Sequence, residues 1–474
     1  MEIWAIVTLT LALLVLLLVS EMPIAFALGL SGAAGLLLLQ GFDYTTNILG
    51  SVPFSVTSSF TLTIIPMFIL MGLFAVKAKI AEQVYAVANY ACRRIPGGLG
   101  VATVMACAGF AAVSGSSIGT SATMSKLSIT EMKRFGYPES LAAGVVAMAG
   151  TLGVLIPPSV MLVLYAIMTG ESVAAVLAAG IVPGILSAVA FSIYIIVRAK
   201  RTIRPQREQS MSSALAEASS GSSGSSGSAN VTRMAAFAER GAPIPAVHPA
   251  SFRDLPMRGF VRVLILFLIV LGGIYSGIFT PTESAAMGAF AALLMLIFEL
   301  RRESTRSIFE GIKDALKESA ATTSMVFAVV VGSTILSMFF ISARIPQAIT
   351  DAVKTLEVSP VVTMGVLLLM LIPLGMFLES LSILVITVPI LYPVAMSLGF
   401  DGVWLAILIV KLIEIGMVTP PVGILCFVVS GTSGIKVEQV FRGVLPLVLV
   451  DIAMLALLYF VPEITLWLPS LVNP

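Results

Sequence analysis

Four short stretches of the chain combine residue types that can hold an ion or an acid. They are Ser114-Gly-Ser-Ser117, Gly153-Val-Leu-Ile-Pro-Pro-Ser159, Gly375-Met-Phe-Leu-Glu-Ser380 and Gly416-Met-Val-Thr-Pro-Pro-Val-Gly423. Each interrupts an apolar run. Glycine and proline are poor residues for a helix interior. A helix cut at such a point leaves carbonyls free at one end and N–H groups free at the other. Carbonyls and Ser/Thr hydroxyls make hard-oxygen sites suited to Na+. The N–H ends carry partial positive charge and suit a carboxylate. The expectation is therefore one Na+ site per half of the chain, with a carboxylate substrate between them. Ser114–Ser117 should face Gly153–Ser159, and Gly375–Ser380 should face Gly416–Gly423. The substrate is assigned to Ser116, Ser117, Thr120, Pro158 and Ser159 in the first half, and to Glu379, Ser380 and Pro421 in the second. One such motif alone is equally the mark of a kinked or closely packed helix. A matched pair in each half favours a transporter.

The elements that carry these motifs must be membrane helices. Of the 474 residues, 58% are hydrophobic and 11% are charged, with a net charge of +2. Soluble domains carry about 25% charged residues, and so few charges could not cover a soluble globule. A crossing takes about 20 apolar residues, so the chain has room for roughly ten. Residues 3–19 lack the basic flank of a signal peptide and read as a retained first crossing. The expected fold is an all-α polytopic membrane protein of the inverted-repeat, ion-transporter type. It has about ten or eleven membrane segments, including two re-entrant hairpins and two broken helices.

Two halves resemble each other. Gly153, Pro157 and Pro158 align with Gly416, Pro420 and Pro421, and the same offset lays Gly136-Tyr137 on Gly399-Phe400. Such regularity argues for an internal duplication. The first repeat spans 1–200, with a hairpin at 95–134 and a broken helix at 139–170. The second spans 258–474, with a hairpin at 361–398 and a broken helix at 402–430. Between them, 201–257 is rich in Ser, Gly, Pro and Arg and reads as a flexible basic linker. Basic loops stay in the cytoplasm, and on this map most of the 27 Lys and Arg residues lie inside. Surface helices are expected at 80–94 and 346–357, and crossings at about 58–76 and 320–342.

Four charges fall at membrane depth: Lys126, Glu379, Lys411 and Glu414. Such residues are functional candidates unless paired. Lys411 and Glu414 are three apart on one helix, which favours a mutual structural pair. Glu379 sits beside a tip, and Lys126 lies about two turns past the other.

Several classes are excluded. The single histidine, His248, lies in the linker, so neither haem ligation nor a Ser-His dyad in the membrane is available. Cys92, Cys107 and Cys426 are too widely spaced for a metal knuckle. No phosphate-binding loop is present. No enzyme activity, cofactor or nucleic-acid partner is expected. A channel is less favoured because the tips and breaks offer no continuous polar stripe.

The same residues carry a family resemblance. The chain resembles the large membrane subunit of tripartite ATP-independent periplasmic (TRAP) transporters, the DctM-like subunits. The match rests on Ser114-Gly-Ser-Ser117, Gly136-Tyr137, Ile156-Pro-Pro-Ser159, Thr280-Pro-Thr-Glu283, Gly375–Ser380 and Gly416–Gly423, in this order and spacing. The resemblance implies Na+-coupled uptake of a small carboxylate across the bacterial inner membrane by an elevator-type movement. It implies two partners, a small four-helix membrane subunit (DctQ-like) and a periplasmic substrate-binding protein (DctP-like). It also implies that Na+ is held where tip meets break, by Ser114, Ser116 and Ser159, and by Gly375, Gly416, Thr419 and the backbone of Val422. Gly115 and Gly153 join the first set. The alternative is a stand-alone Na+- or H+-coupled carboxylate symporter or antiporter of the same superfamily, needing no binding protein. The linker at 201–257 is longer than the family leads one to expect.

Overall fold

The computed structural model describes residues 3–220, 257–301, 304–355 and 359–472. Its regular structure is helical throughout. Among the described residues, nine helices are long and apolar enough to cross a membrane, and four more are shorter and apolar. The long ones include Phe60–Lys77, Val173–Arg201, Met257–Tyr275, Pro281–Leu300 and Val437–Phe460.

Two helices form the centre. Glu139–Leu155 is buried from Leu141 onward, and every residue of Gly402–Val418 is buried. A helix hidden on all sides has no solvated face, and its sequence is accordingly apolar all round. Small residues let the neighbours close in. Gly144 lies against the backbone of Gly443 in the last crossing, and Gly150 lies against the Ser121 side chain.

A second layer mixes helices from both halves. Ile24–Gln40 packs along Thr305–Ser342, where a Cβ on Gly32 would stand 2.7 Å from the Leu336 backbone. Phe60–Lys77 packs on Pro281–Leu300, where a Cβ on Gly288 would stand 2.7 Å from the Met71 sulfur. Pro281–Leu300 begins with a capping box: Thr280 Oγ1 accepts from the Glu283 N–H, and the Glu283 carboxylate accepts from the Thr280 N–H at 2.8 Å. This satisfies two N–H groups that a helix start leaves free.

The structure differs from the sequence-based expectation in several places. Phe42–Thr57 forms an additional helix. Its Asp43, Asn47 and hydroxyl residues hide it from a search for apolar runs. The crossing expected at 320–342 is the second part of one 38-residue helix, Thr305–Ser342, because nothing between Lys317 and Ala320 breaks it. The sixth crossing continues as helix to Ser220. Residues 201–220 of the expected flexible linker are therefore helical, consistent with good helix formers such as Ala214-Leu-Ala-Glu-Ala218 and with the absence of glycine before Gly221. Linker residues 221–256, His248 among them, lie outside the described residues. A further helix, Glu463–Val472, follows the last crossing. The short helices expected on the surface are Ile80–Cys92 and Ile345–Thr355.

Candidate functional site

At the first tip, helix Gly98–Ser114 ends on Gly115, whose φ of 60° is the left-handed conformation that glycine adopts without steric penalty. Ser116 caps the next helix, Ser117–Met124, its Oγ accepting from the Gly119 N–H at 3.3 Å. Ser114 Oγ and Thr120 Oγ1 are 2.7 Å apart, which ties the two arms together. The chain continues through a wide turn, Ser125–Ile129, to Arg134. Lys126 in that turn is exposed.

Helix Glu139–Leu155 breaks at Ile156-Pro157-Pro158, and Ser159 caps its continuation, Val160–Thr169, by accepting from the Leu162 N–H at 3.3 Å. The Pro157-Pro158 bond is cis. This break touches the first tip. A Cβ on Gly115 would stand 3.0 Å from the Pro158 carbonyl oxygen, and one on Gly153 would stand 2.8 Å from the Ser116 carbonyl oxygen. The backbone oxygens of Ser116 and Pro158 thus lie at the contact between two segments that also carry Ser114, Ser116 and Ser159. Ser159 is fully buried.

The second half builds its own version. Leu371–Phe377 ends, Leu378 and Glu379 are extended, and Ser380–Ser397 begins with Glu379 at its cap position. Helix Gly402–Val418 breaks at Thr419, passes through a cis Pro420-Pro421 bond, and restarts after Gly423 at a φ of 60°. Tip and break meet here too. Gly375 and Gly416 touch through their backbones, and the Gly423 N–H donates to the Met376 carbonyl at 3.3 Å. The Thr419 hydroxyl donates to the Ile415 carbonyl at 2.5 Å.

A cavity of about 340 Å³ joins the halves. Ser114, Gly115, Ser116, Ser117, Ile118 and Gly119 line it from the first tip, and Glu379, Ser380 and Leu381 line it from the second. Its outer wall is one face of the long helix, with Glu318, Thr322, Met325 and Val326, and part of Phe60–Lys77, including Gly72 and Val76. Further along the same face of the long helix, Val330, Ser333, Thr334, Ser337 and Ile341 line a second cavity of about 430 Å³. At the wall of the second cavity the Ser333 hydroxyl donates to the Val385 carbonyl at 2.6 Å.

The residues assigned to ligands from sequence are therefore distributed unevenly. Ser114, Gly115, Ser116, Ser117, Glu379 and Ser380 line the shared cavity. Thr120 and Ser159 are buried just behind it, while Gly153 and Pro158 hold the first tip from below. Gly375, Gly416, Thr419, Pro421 and Val422 do not line it, and Pro421 is exposed. Among the described residues no group of His, Cys, Asp or Glu has the arrangement of a metal site, so a cation here would rest on carbonyl and hydroxyl oxygens.

One expectation is corrected. Lys411 does not pair with Glu414. Its ammonium donates to Ser187 Oγ at 2.9 Å and to the Asp451 carboxylate, and Asp451 comes from the last crossing. The Phe191 ring lies 5.8 Å away. Glu414 turns instead to the first tip, where its Oε1 accepts from Ser117 Oγ at 3.2 Å. A membrane-depth Asp451 and the long-helix face at Glu318 to Val326 were not singled out from the sequence. The spacing of Glu318, Thr322, Met325 and Val326, a helical stripe, is the signal that could have found the latter.

The fold is that of a multi-span, all-helical membrane protein, and a match to a transporter family makes it a permease rather than an enzyme. Residues 11–464 match the family described as tripartite ATP-independent periplasmic transporter, DctM component, and the chain belongs to that family. It is 34% identical to the C4-dicarboxylate TRAP transporter large permease protein DctM of Pseudomonas aeruginosa, over 94% of both chains. It is 30% identical to the sialic acid TRAP transporter large permease protein SiaM of Vibrio cholerae, over 96% of both. The isethionate TRAP transporter permease protein DctMQ of Oleidesulfovibrio alaskensis is 32% identical over 95% of this chain and 64% of its own. Among solved structures, the YdaH transporter of Alcanivorax borkumensis shares the fold, with a TM-score of 0.57 at 12% identity, over 93% of this chain and 91% of that one. The chain is thus a multi-pass membrane protein of a bacterial TRAP system, a membership that brings DctQ and DctP partners.

Proposed function

We propose that this permease moves a small carboxylate into the cell together with Na+. It receives the substrate from a DctP-like periplasmic binding protein and works beside a DctQ-like small membrane subunit. The relatives named for C4-dicarboxylates and sialic acid support the substrate class. The observation that carries the reading is the cavity bounded by both tips and the long helix. Na+ is assigned to the tip–break contacts: Ser114, Gly115, Ser116, Gly153 and Ser159 in the first half, and Gly375, Gly416, Thr419 and Val422 in the second. The substrate is assigned to the cavity between the tips, with Ser116, Ser117, Thr120, Pro158, Ser159, Glu379, Ser380 and Pro421 around it. The two halves, 1–200 and 258–474, are read as inverted repeats whose hairpins and broken helices enter from opposite faces.

Lys77 and Lys317 belong on the cytoplasmic side by the excess of basic residues there. Their neighbours Val76 and Glu318 line the shared cavity, so the cavity opens inward. The second cavity lies on the periplasmic side of the Ser333–Val385 bond. An elevator-type movement would carry the tips along the face of the long helix from one cavity toward the other.

Uptake in proteoliposomes tests the coupling. The wild-type chain with its partners should take up substrate only with an inward Na+ gradient. Ser116→Ala and Thr419→Val should raise the Na+ concentration required. Equal uptake when choline replaces Na+, or unchanged Na+ dependence in both variants, would sink the reading. Uptake with no added periplasmic protein would point to the stand-alone symporter instead.

A further inference from the structure

The shared cavity carries charge of one sign. Glu379 lines it from the second tip and Glu318 from the long helix, and no lysine, arginine or histidine is among the described residues that line it. Of the basic groups nearby, Lys77 lies 3.9 Å from Asp314, and Lys411 is held by Asp451 and Ser187. A third carboxyl stands behind the first tip. Glu414 is 2% exposed; one of its oxygens takes the bond from Ser117, and the other has no partner.

The two tips are not equivalent. The first tip helix starts on hydroxyls alone, Ser116 and Ser117. At the second, Glu379 stands at the helix start and also accepts from Ser382 Oγ at 3.3 Å. A helix N-terminus favours one anion. At the second tip the protein places that anion at the cap position itself, whereas at the first the cap position is Ser116 and the carboxyl of Glu414 is reached through the Ser117 hydroxyl.

Resting on the carboxylate reading above, we infer that the cavity takes a monocarboxylate whose far end bears hydrogen-bond donors, as hydroxyl or ammonium groups, and disfavours a dicarboxylate dianion of the same length. The substrate carboxylate lies at Ser116, because the Ser117 hydroxyl is already given to Glu414. The donors face Glu379, whose carboxylate otherwise has the Ser382 hydroxyl, and Glu318, whose side chain is exposed. A second carboxylate in their place would meet two like charges. Of the residues assigned to Na+, Ser114, Gly115 and Ser116 line the cavity at the near end, with the substrate carboxylate, whereas Gly375, Gly416, Thr419 and Val422 do not line it, so no assigned cation faces the far end.

A four-carbon series isolates the far end: butyrate, 4-hydroxybutyrate, 4-aminobutyrate and succinate. Each is titrated against the full-length chain, purified with its small membrane subunit in Na+, and binding is followed by thermal stabilisation. The donor-bearing pair should act at concentrations about tenfold or more below succinate. Glu379→Gln and Glu318→Gln should each narrow that gap by improving succinate. Retained stabilisation by Na+ alone shows that the variants are folded. Succinate binding as tightly as 4-hydroxybutyrate, or an order unchanged in both variants, overturns the inference. Tight succinate binding leaves the carboxylate reading intact, whereas binding of none of the four overturns both.

Discussion

Gly375 and Gly416 meet backbone to backbone. A Cβ on Gly416 would stand 2.6 Å from the Gly375 Cα, and one on Gly375 would stand 2.8 Å from the Gly416 Cα. This contact joins the second tip to its helix break, and neither side is a flexible side chain that could give way. Gly416→Ala should therefore cost about 1–3 kcal/mol, the usual penalty for forcing a methyl group into a packed interior. Gly431→Ala serves as the control. Gly431 lies in helix Ile424–Ser433 with nothing within 4 Å, so alanine there should be neutral or stabilising by about 0.5–1 kcal/mol. Thermal unfolding in detergent checks both, and equal effects would refute the packing account.

The Lys411–Asp451 pair makes a different prediction. The two residues are 3% and 1% exposed and come from Gly402–Val418 and Val437–Phe460. Removing one partner leaves a buried charge uncompensated, which costs about 3–5 kcal/mol. Lys411→Met and Asp451→Leu should each destabilise the chain by that order. The double variant should recover most of the loss, because an apolar pair of similar volume often replaces a buried ion pair without penalty. A double-mutant cycle on melting temperature measures this, and simple additivity of the two losses would refute it.

These two relationships show what a linear reading can and cannot reach. Ser114–Ser117, Pro157-Pro158 and Pro420-Pro421 stand out because they are polar or helix-breaking residues inside apolar runs, and an exception of that kind is visible without a partner. The meeting of each tip with its own break follows from the paired order of the motifs. Lys411 was different. Glu414 three residues on is a plausible local partner, whereas Asp451 is on another helix, and no spacing rule connects the two. Helix Phe42–Thr57 was hidden for another reason: Asp43, Asn47 and its hydroxyl residues interrupt the apolar run. Of the long Thr305–Ser342 helix the apolar part was legible, and only its charged N-terminal extension was not.

Ser117 and Glu414 link the first tip to the core of the second half. The Ser117 hydroxyl is the single partner of a carboxyl whose other oxygen already lacks one. Ser117→Ala should therefore cost about 1–3 kcal/mol, the penalty for leaving a buried polar group unsatisfied. Adding Glu414→Leu to Ser117→Ala removes the orphaned group and should restore part of that stability. A melting temperature for the double variant no higher than for Ser117→Ala alone would show that Ser117 acts in some other way.

The bond from Ser333 to the Val385 carbonyl lies at the wall of the second cavity. It joins the long helix to the second arm of the second hairpin, so sliding of one past the other must break it. Ser333→Ala removes the donor and leaves the carbonyl to find another partner, a loss of about 1 kcal/mol in the state that holds the bond. A difference of that size shifts a two-state population by about fivefold. Thr334 lines the second cavity, so a Thr334→Cys background reports opening on that side through labelling by a membrane-impermeant thiol reagent. The native Cys92, Cys107 and Cys426 are buried and should contribute little. Labelling should be several-fold faster when Ser333→Ala is added, and substrate uptake should change with it. Equal labelling rates with and without Ser333→Ala would mean that the bond does not hold the arrangement of the two cavities.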